Sequence, residues 1–166
     1  MTERVFLNPG QLYFGGGDVA VETLLGPCVA IVMWYPGLSV GGMCHFQLPA
    51  ASGCNPDGRV DGRYGDQAWR WLIQQAQRQG LSAEQAVYKL FGGARSFSGR
   101  PSLPGLDVAA QNVVFAERLL ASRNLPVLAR DLGGHGYRYV RFELASGNVW
   151  VRRGAAVKTN VAEVKR

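Results

Sequence analysis

The sequence predicts a mixed α+β fold in a single domain, and three observations carry that. Short runs rich in β-formers recur along the chain, separated by clusters of Gly, Pro, Asn and Ser. Two segments only place apolar residues at helical spacing between cap and stop residues. A chain of 166 residues with 47% hydrophobic and 18% charged residues has the size and composition of one globular unit that buries a real core. No repeat, low-complexity tract or linker divides it, so residues 1–166 read as one domain. Strands with helices interspersed, rather than strictly alternating, define the mixed class.

In chain order, residues 1–27 hold short apolar pieces broken by Asn8-Pro9-Gly10 and Gly15-Gly16-Gly17. Residues 28–48 form two β-rich runs around Pro36-Gly37 and read as a hairpin. Pro49 to Gly62, with Ser52-Gly53 and Asn55-Pro56-Asp57-Gly58, reads as a loop containing Cys54. Asp66 is the expected cap of a helix with Trp69, Leu72, Ile73 and Ala76 on one stripe, and Gly80 ends it. Residues 86–93 alternate as a strand running into a turn, and 94–106 form a second loop. A second helix spans roughly 107–123, capped by Asp107, with Val113, Ala116, Leu119 and Leu120 on its apolar stripe. Asn124 and Pro126 stop it. A short strand at 126–129, a turn at Asp131 to Gly134 and a hairpin of 138–144 with 148–153 close the domain.

Composition excludes several functions. No apolar run approaches the roughly 18 residues that cross a membrane, and the N-terminus lacks a signal peptide's apolar middle. A cytoplasmic protein is expected. Cys28, Cys44 and Cys54 are odd in number and lack zinc-type spacing, so free thiols in a reducing compartment are expected. Neither metal nor cofactor is called for. The net charge is +6, mildly concentrated in Arg138, Arg141, Arg152, Arg153, Lys158, Lys165 and Arg166. No Lys/Arg run is interleaved with stacking aromatics, which argues against nucleic acid. A basic surface facing an acidic protein is at least as reasonable.

The chemistry-bearing feature is Cys28 with His45. If Tyr35 pairs with Leu38 across the turn, counting outward sets Cys28 directly opposite His45, on one sheet face with Cβ atoms about 5 Å apart. A two- or four-residue loop centred on Pro36-Gly37 keeps that pairing; a three-residue loop or a bulge at Gly41-Gly42 shifts it. Pro-Gly suits type I or II turns better than the primed turns of tight hairpins. Taken singly, a cysteine is usually a small core hydrophobe and a histidine a satisfied core residue. Together they match a nucleophile and its general base. Cys28 also starts its strand just after Gly26-Pro27, where its N–H can face an oxyanion. Cys44 should point to the opposite, buried face.

The segment Thr23-Leu-Leu-Gly-Pro-Cys28-Val-Ala, followed by Gly41-Gly42-Met-Cys-His45-Phe-Gln-Leu-Pro49, resembles the CheD family of chemoreceptor glutamine deamidases. The likeness runs on through Gly62 to Asp66, Lys89 to Ala94, Asn112 and Asp131 to Gly134, covering about residues 5–153 and leaving 154–166 as a tail. It implies a β-sandwich-like core flanked by helices, as in glutamine-deamidating toxin domains. It also implies a Cys28-His45-Thr23 catalytic set, in which Thr23 orients the imidazole by its hydroxyl or its backbone carbonyl. The reaction so implied hydrolyses glutamine side-chain amides on methyl-accepting chemotaxis receptors to glutamate. A CheC-type phosphatase is a further implied partner. Two positions depart from the family pattern: Pro27 stands where serine is common, and Gln111 where arginine usually precedes Asn112. The rival reading is a non-catalytic adaptor of the same fold; a general cysteine hydrolase of small amides lies outside the family.

Overall fold

The computed structural model describes residues 1–51, 57–95, 107–154 and 163–166. Cys54 and the turns predicted at 52–56 and 98–105 lie outside them. The element order is β1 (Glu3–Leu7), β2 (Leu12–Gly16), β3 (Val19–Leu25), β4 (Val29–Tyr35), β5 (Val40–Cys44), α1 (Gly65–Arg78), β6 (Val87–Gly92), α2 (Val108–Ala121), β7 (Val127–Leu132), β8 (Tyr137–Glu143), β9 (Val149–Gly154) and β10 (Glu163–Lys165), with one 3-10 turn at Ala83–Gln85. The strands form two five-stranded sheets, ordered β1-β3-β8-β9-β10 and β2-β5-β4-β6-β7. Each is mixed: β1 runs parallel to β3 and β6 parallel to β7, and the other pairs are antiparallel.

Strand alternation sorts the core into two slabs. Val21, Leu25, Val140, Phe142 and Val151 of the first sheet meet Ala30, Val32, Met43 and Phe91 of the second. The odd-numbered residues of β4 (Val29, Ile31, Met33, Tyr35) turn the other way, onto Trp69, Leu72, Ala76, Ala116 and Leu120 of the helices. The result is three layers, sheet on sheet on helices, and β4 is buried on both faces because it lies in the middle layer. Its unbroken apolar run, Val-Ala-Ile-Val-Met-Trp-Tyr, is what such a position requires.

Both helices form where the periodicity placed them, with one correction. Tyr64, not Asp66, caps α1; Asp66 sits in the first turn, where its carboxylate accepts from Gln67 N–H at 2.9 Å. An acidic side chain there complements the helix N-terminus without occupying the cap. Asp107 does cap α2, accepting from Ala110 N–H at 3.0 Å. Asp131 is not a turn residue: β7 extends to Leu132, so Asp131 lies within the strand and is buried. Three short strands occupy residues 3–25, where the sequence showed only broken apolar pieces. The tail expected from 154 returns as β10, paired antiparallel with β9. Among the described residues no helix is long and apolar enough to cross a membrane.

The hairpin of β4 and β5 differs from its predicted register. Tyr35 pairs with Val40, not Leu38, and the ladder continues through Trp34 with Gly41, Met33 with Gly42 and Val32 with Met43. The turn explains the shift. Leu38 N–H donates to Tyr35 O at 3.3 Å around Pro36 and Gly37, with Gly37 at φ 82°, which is a type II turn. That turn does not match the twist of antiparallel strands, so the chain spends two more residues, with Ser39 at φ 51°, before pairing resumes.

Candidate active site

The register shift moves Cys28 from opposite His45 to a diagonal position. The ladder's last rung is the bridge of Val29 with Phe46, bonded in both directions at 3.1 and 3.0 Å. One step beyond it Cys28 faces Gln47, and His45 faces Ala30. A slip of two residues preserves side-chain parity, so the thiol and the imidazole still share the inner face of their sheet. Diagonal neighbours stand roughly 7–8 Å apart at the backbone, within reach of a ring. Cys28 packs among inter-sheet residues and is 9% exposed; His45 is 1% exposed. Cys44 turns to the helical face, fully buried, as alternation required.

Thr23 enters from the other sheet. It lies on the inner face of β3, completely buried, with its hydroxyl 2.7 Å from His45 Nδ1. The same hydroxyl donates to Leu7 O on the adjacent β1 at 2.8 Å. A hydroxyl has one proton. With that proton on Leu7 O, Thr23 Oγ1 must accept from His45 Nδ1–H, which leaves Nε2 with its lone pair. Nε2 is buried and has no hydrogen-bond partner among the described residues. Of the two ways Thr23 could orient the ring, the geometry therefore uses the hydroxyl. Charge follows burial: burial pushes the Cys28 thiol up, with its own backbone N–H acting the other way, and pushes the His45 imidazole down to about 4. At neutral pH the resting pair is thiol and neutral imidazole.

The backbone beneath Cys28 is fixed by close approach. Gly93 N–H donates to Cys28 O at 2.8 Å. Gly92 (φ 110°) lies so near that a Cβ there would fall 2.2 Å from the same oxygen. A third fastening was missed in the sequence. Asn112, on the buried face of α2, donates from Nδ2 to Pro27 O at 3.0 Å and to Gln47 O at 2.9 Å. A signal existed: Ala109, Asn112, Ala116 and Leu119 follow one helical stripe, and an asparagine on a core stripe must find buried partners. Among the described contacts neither Asp66 nor Asp131 bonds to Thr23, Cys28 or His45. Asp131 instead pairs with Arg138 (3.0 Å), Arg153 (2.6 Å) and Arg166 (3.5 Å). Among the described residues no group of His, Cys, Asp or Glu is arranged to hold a metal ion.

Two mixed sheets, one helical layer, a bonded imidazole and hydroxyl between the sheets and a thiol on the same inner face define an α+β protein with an interior polar site. Residues 47–153 match the model of the CheD chemotactic sensory transduction family, and the chain belongs to that family. It is 43% identical over 152 residues, 91% of this chain and 85% of the relative, to a probable chemoreceptor glutamine deamidase CheD of Pseudomonas fluorescens. Similar relatives, named likewise, occur in Dechloromonas aromatica (37% over 148 residues; 89% and 86% of the two chains) and Leptospira interrogans (33% over 155; 90% and 92%). The family match begins at residue 47, two residues past His45, and so does not itself include Thr23, Cys28 or His45.

Proposed function

We propose that this protein is a chemoreceptor glutamine deamidase in which Cys28 is the nucleophile, His45 the general base and acid, and Thr23 the residue that orients His45. The observation that carries the reading is the Thr23 hydroxyl at 2.7 Å from Nδ1 with its own proton committed to Leu7 O. It presents Nε2 as a free base on the sheet face that bears the thiol. The names of the relatives point to the substrate class, glutamine side chains of chemoreceptors, and we place the reaction on the receptors' cytoplasmic part.

His45 Nε2 takes the Cys28 thiol proton as Sγ attacks Cδ of the glutamine amide. The carbonyl π electrons move onto oxygen, and the Cys28 backbone N–H is the nearest donor for that oxyanion. As the tetrahedral intermediate collapses, Nε2–H protonates the departing nitrogen, the C–N bond breaks and ammonia leaves. Water, deprotonated by the same Nε2, then adds to the thioester, and Sγ departs with the proton back, leaving glutamate. The substrate sets the need for a slender opening: Cys28 is recessed, and the exposed apolar side chains of Leu24 and Leu48 flank its chain segment and that of His45. Exposed apolar residues beside a recessed thiol suit a protein surface that inserts one long side chain. A CheC-type phosphatase, which the family resemblance implies, is a second partner for the same face.

The test is mass spectrometry of a receptor cytoplasmic domain incubated with the protein. Deamidation adds about one dalton at defined glutamines, and Cys28→Ala should abolish it while leaving the circular dichroism spectrum unchanged, since the thiolate has no substitute. Turnover near the wild-type rate in that variant removes the nucleophile assignment. Receptor binding with no mass change in the wild type replaces the enzyme by an adaptor.

A further inference from the structure

We propose that Asn112 is a positioning residue: its side-chain amide aims the Cys28 backbone N–H at the oxyanion. The inference rests on the deamidase reading above. Three observations carry it. First, the β4–β5 ladder ends at the bridge of Val29 with Phe46, immediately before the residues that matter, and Asn112 supplies the next rung from α2. Its Nδ2 spans Pro27 O at 3.0 Å and Gln47 O at 2.9 Å, tying the segment that carries the thiol to the segment that carries the imidazole.

Second, Pro27 O belongs to the peptide group whose other end is the Cys28 N–H. All peptide bonds of the described chain are trans, and in a trans peptide C=O and N–H point in opposite directions. Holding Pro27 O against α2 therefore turns the Cys28 N–H away from the helix layer. A carbonyl that accepts a hydrogen bond also polarises its own peptide, strengthening the N–H as a donor. Third, the orientation of the amide is fixed. Both partners are acceptors, so both Nδ2 protons are used and Oδ1 is the buried atom without a partner among the described residues. Asn112 is 0% exposed and has no donor left for substrate. Its effect must pass through the backbone it holds.

Oxyanion stabilisation and thiol activation can be separated by experiment. Alkylation of Cys28 by iodoacetamide forms no oxyanion, whereas deamidation does. Asn112→Ala should lower kcat for receptor deamidation by about 10- to 100-fold, within the range for a lost or misaimed oxyanion donor. KM should stay within about twofold, and the Cys28 alkylation rate and its pH profile should match those of the wild type. Thermal melting sets the folded fraction by which rates are normalised. If Asn112→Ala does not fold, Asn112→Ser, which removes less and keeps one donor, is measured the same way. Normalised kcat within about twofold of wild type overturns the inference and leaves Asn112 a structural tie. Equal losses in kcat and alkylation also overturn it, because Asn112 would then act on the thiol–imidazole pair. Cys28→Ala is run alongside: if it retains turnover, the nucleophile assignment on which this inference rests fails, whereas a dead Cys28→Ala with a fully active Asn112→Ala overturns this inference alone.

Discussion

At the scale of single residues, the site is governed by burial. His45 is pushed down to about 4 from 6.5, so the unfolded chain binds a proton over a pH range in which the folded chain does not. Stability therefore rises with pH between about 4 and 6.5. The contribution is complete above 6.5 and lost as pH falls towards 4, and it amounts to about 3 kcal/mol. Urea denaturation at pH 7 and pH 4 should show that loss in the wild type and a smaller one in His45→Gln; equal losses would mean that His45 is not held neutral. Pro27 is informative in a different way. It lacks the N–H and hydroxyl of the more common serine, yet the group used at position 27 is its carbonyl, which accepts from Asn112. Proline keeps that carbonyl. Pro27→Ser should accordingly change the deamidation rate by less than about tenfold, with a stability loss of about 0.4–1 kcal/mol from the freer unfolded chain. A collapse of activity with folding intact would show that the ring itself is needed.

At the scale of elements, α2 is the support of the site, because it carries Asn112 in its second turn. Asp107 holds its N-terminus twice, accepting from Ala110 N–H and pairing with Arg95 at 2.6 Å. Asp107→Ala should cost about 1 kcal/mol, the usual worth of a cap, read as a lowered urea midpoint with unchanged slope. The elements also show what the sequence could and could not convey. Both helices, β6 and the closing hairpin follow from periodicity and stop residues, which are local. Strands β1 and β2 are only five residues long, and β3 pairs with β8, far along the chain; no local pattern encodes that pairing. The hairpin lies between these cases. Its strands are legible, but its register depended on turn geometry that Pro36-Gly37 only narrows. The predicted direct opposition of Cys28 and His45 is not found, but the slip is even, so both stay on one face. Thr23 was legible through family resemblance alone, since its meaning depends on a neighbouring sheet. Asn112 was visible as a polar break in an apolar stripe, but its partners were not.

At the scale of the whole molecule, the two-sheet packing beside the Cys28 segment is tied by one buried charge centre. Arg138 is 0% exposed and donates to Asp131, Gly92 O and Gly133 O at 3.0, 3.2 and 2.6 Å. It thus links β8 of one sheet to β6 and β7 of the other. Burial pushes the Asp131 carboxyl up, but hydrogen bonds from Arg153 and Arg138 outweigh it and hold it below its ordinary value. Removing one member of such a pair strands the other: Asp131→Ala should destabilise the fold by about 3–5 kcal/mol in denaturant titration. The double variant Asp131→Ala/Arg138→Met should recover part of that, and no recovery would mean that the carboxylate matters for something other than Arg138. The two sheets have a further consequence, one of timing. Thr23, Cys28 and His45 lie within the first third of the chain and leave the ribosome early. Yet β3, which bears Thr23, is flanked by β8, and the Cys28 segment is braced by Gly92, Gly93 and Asn112. A nascent or prematurely terminated chain thus displays all three reactive groups without bringing them together. The protein should become competent only when synthesis has passed residue 143, so that an unfinished copy is inert rather than indiscriminately reactive.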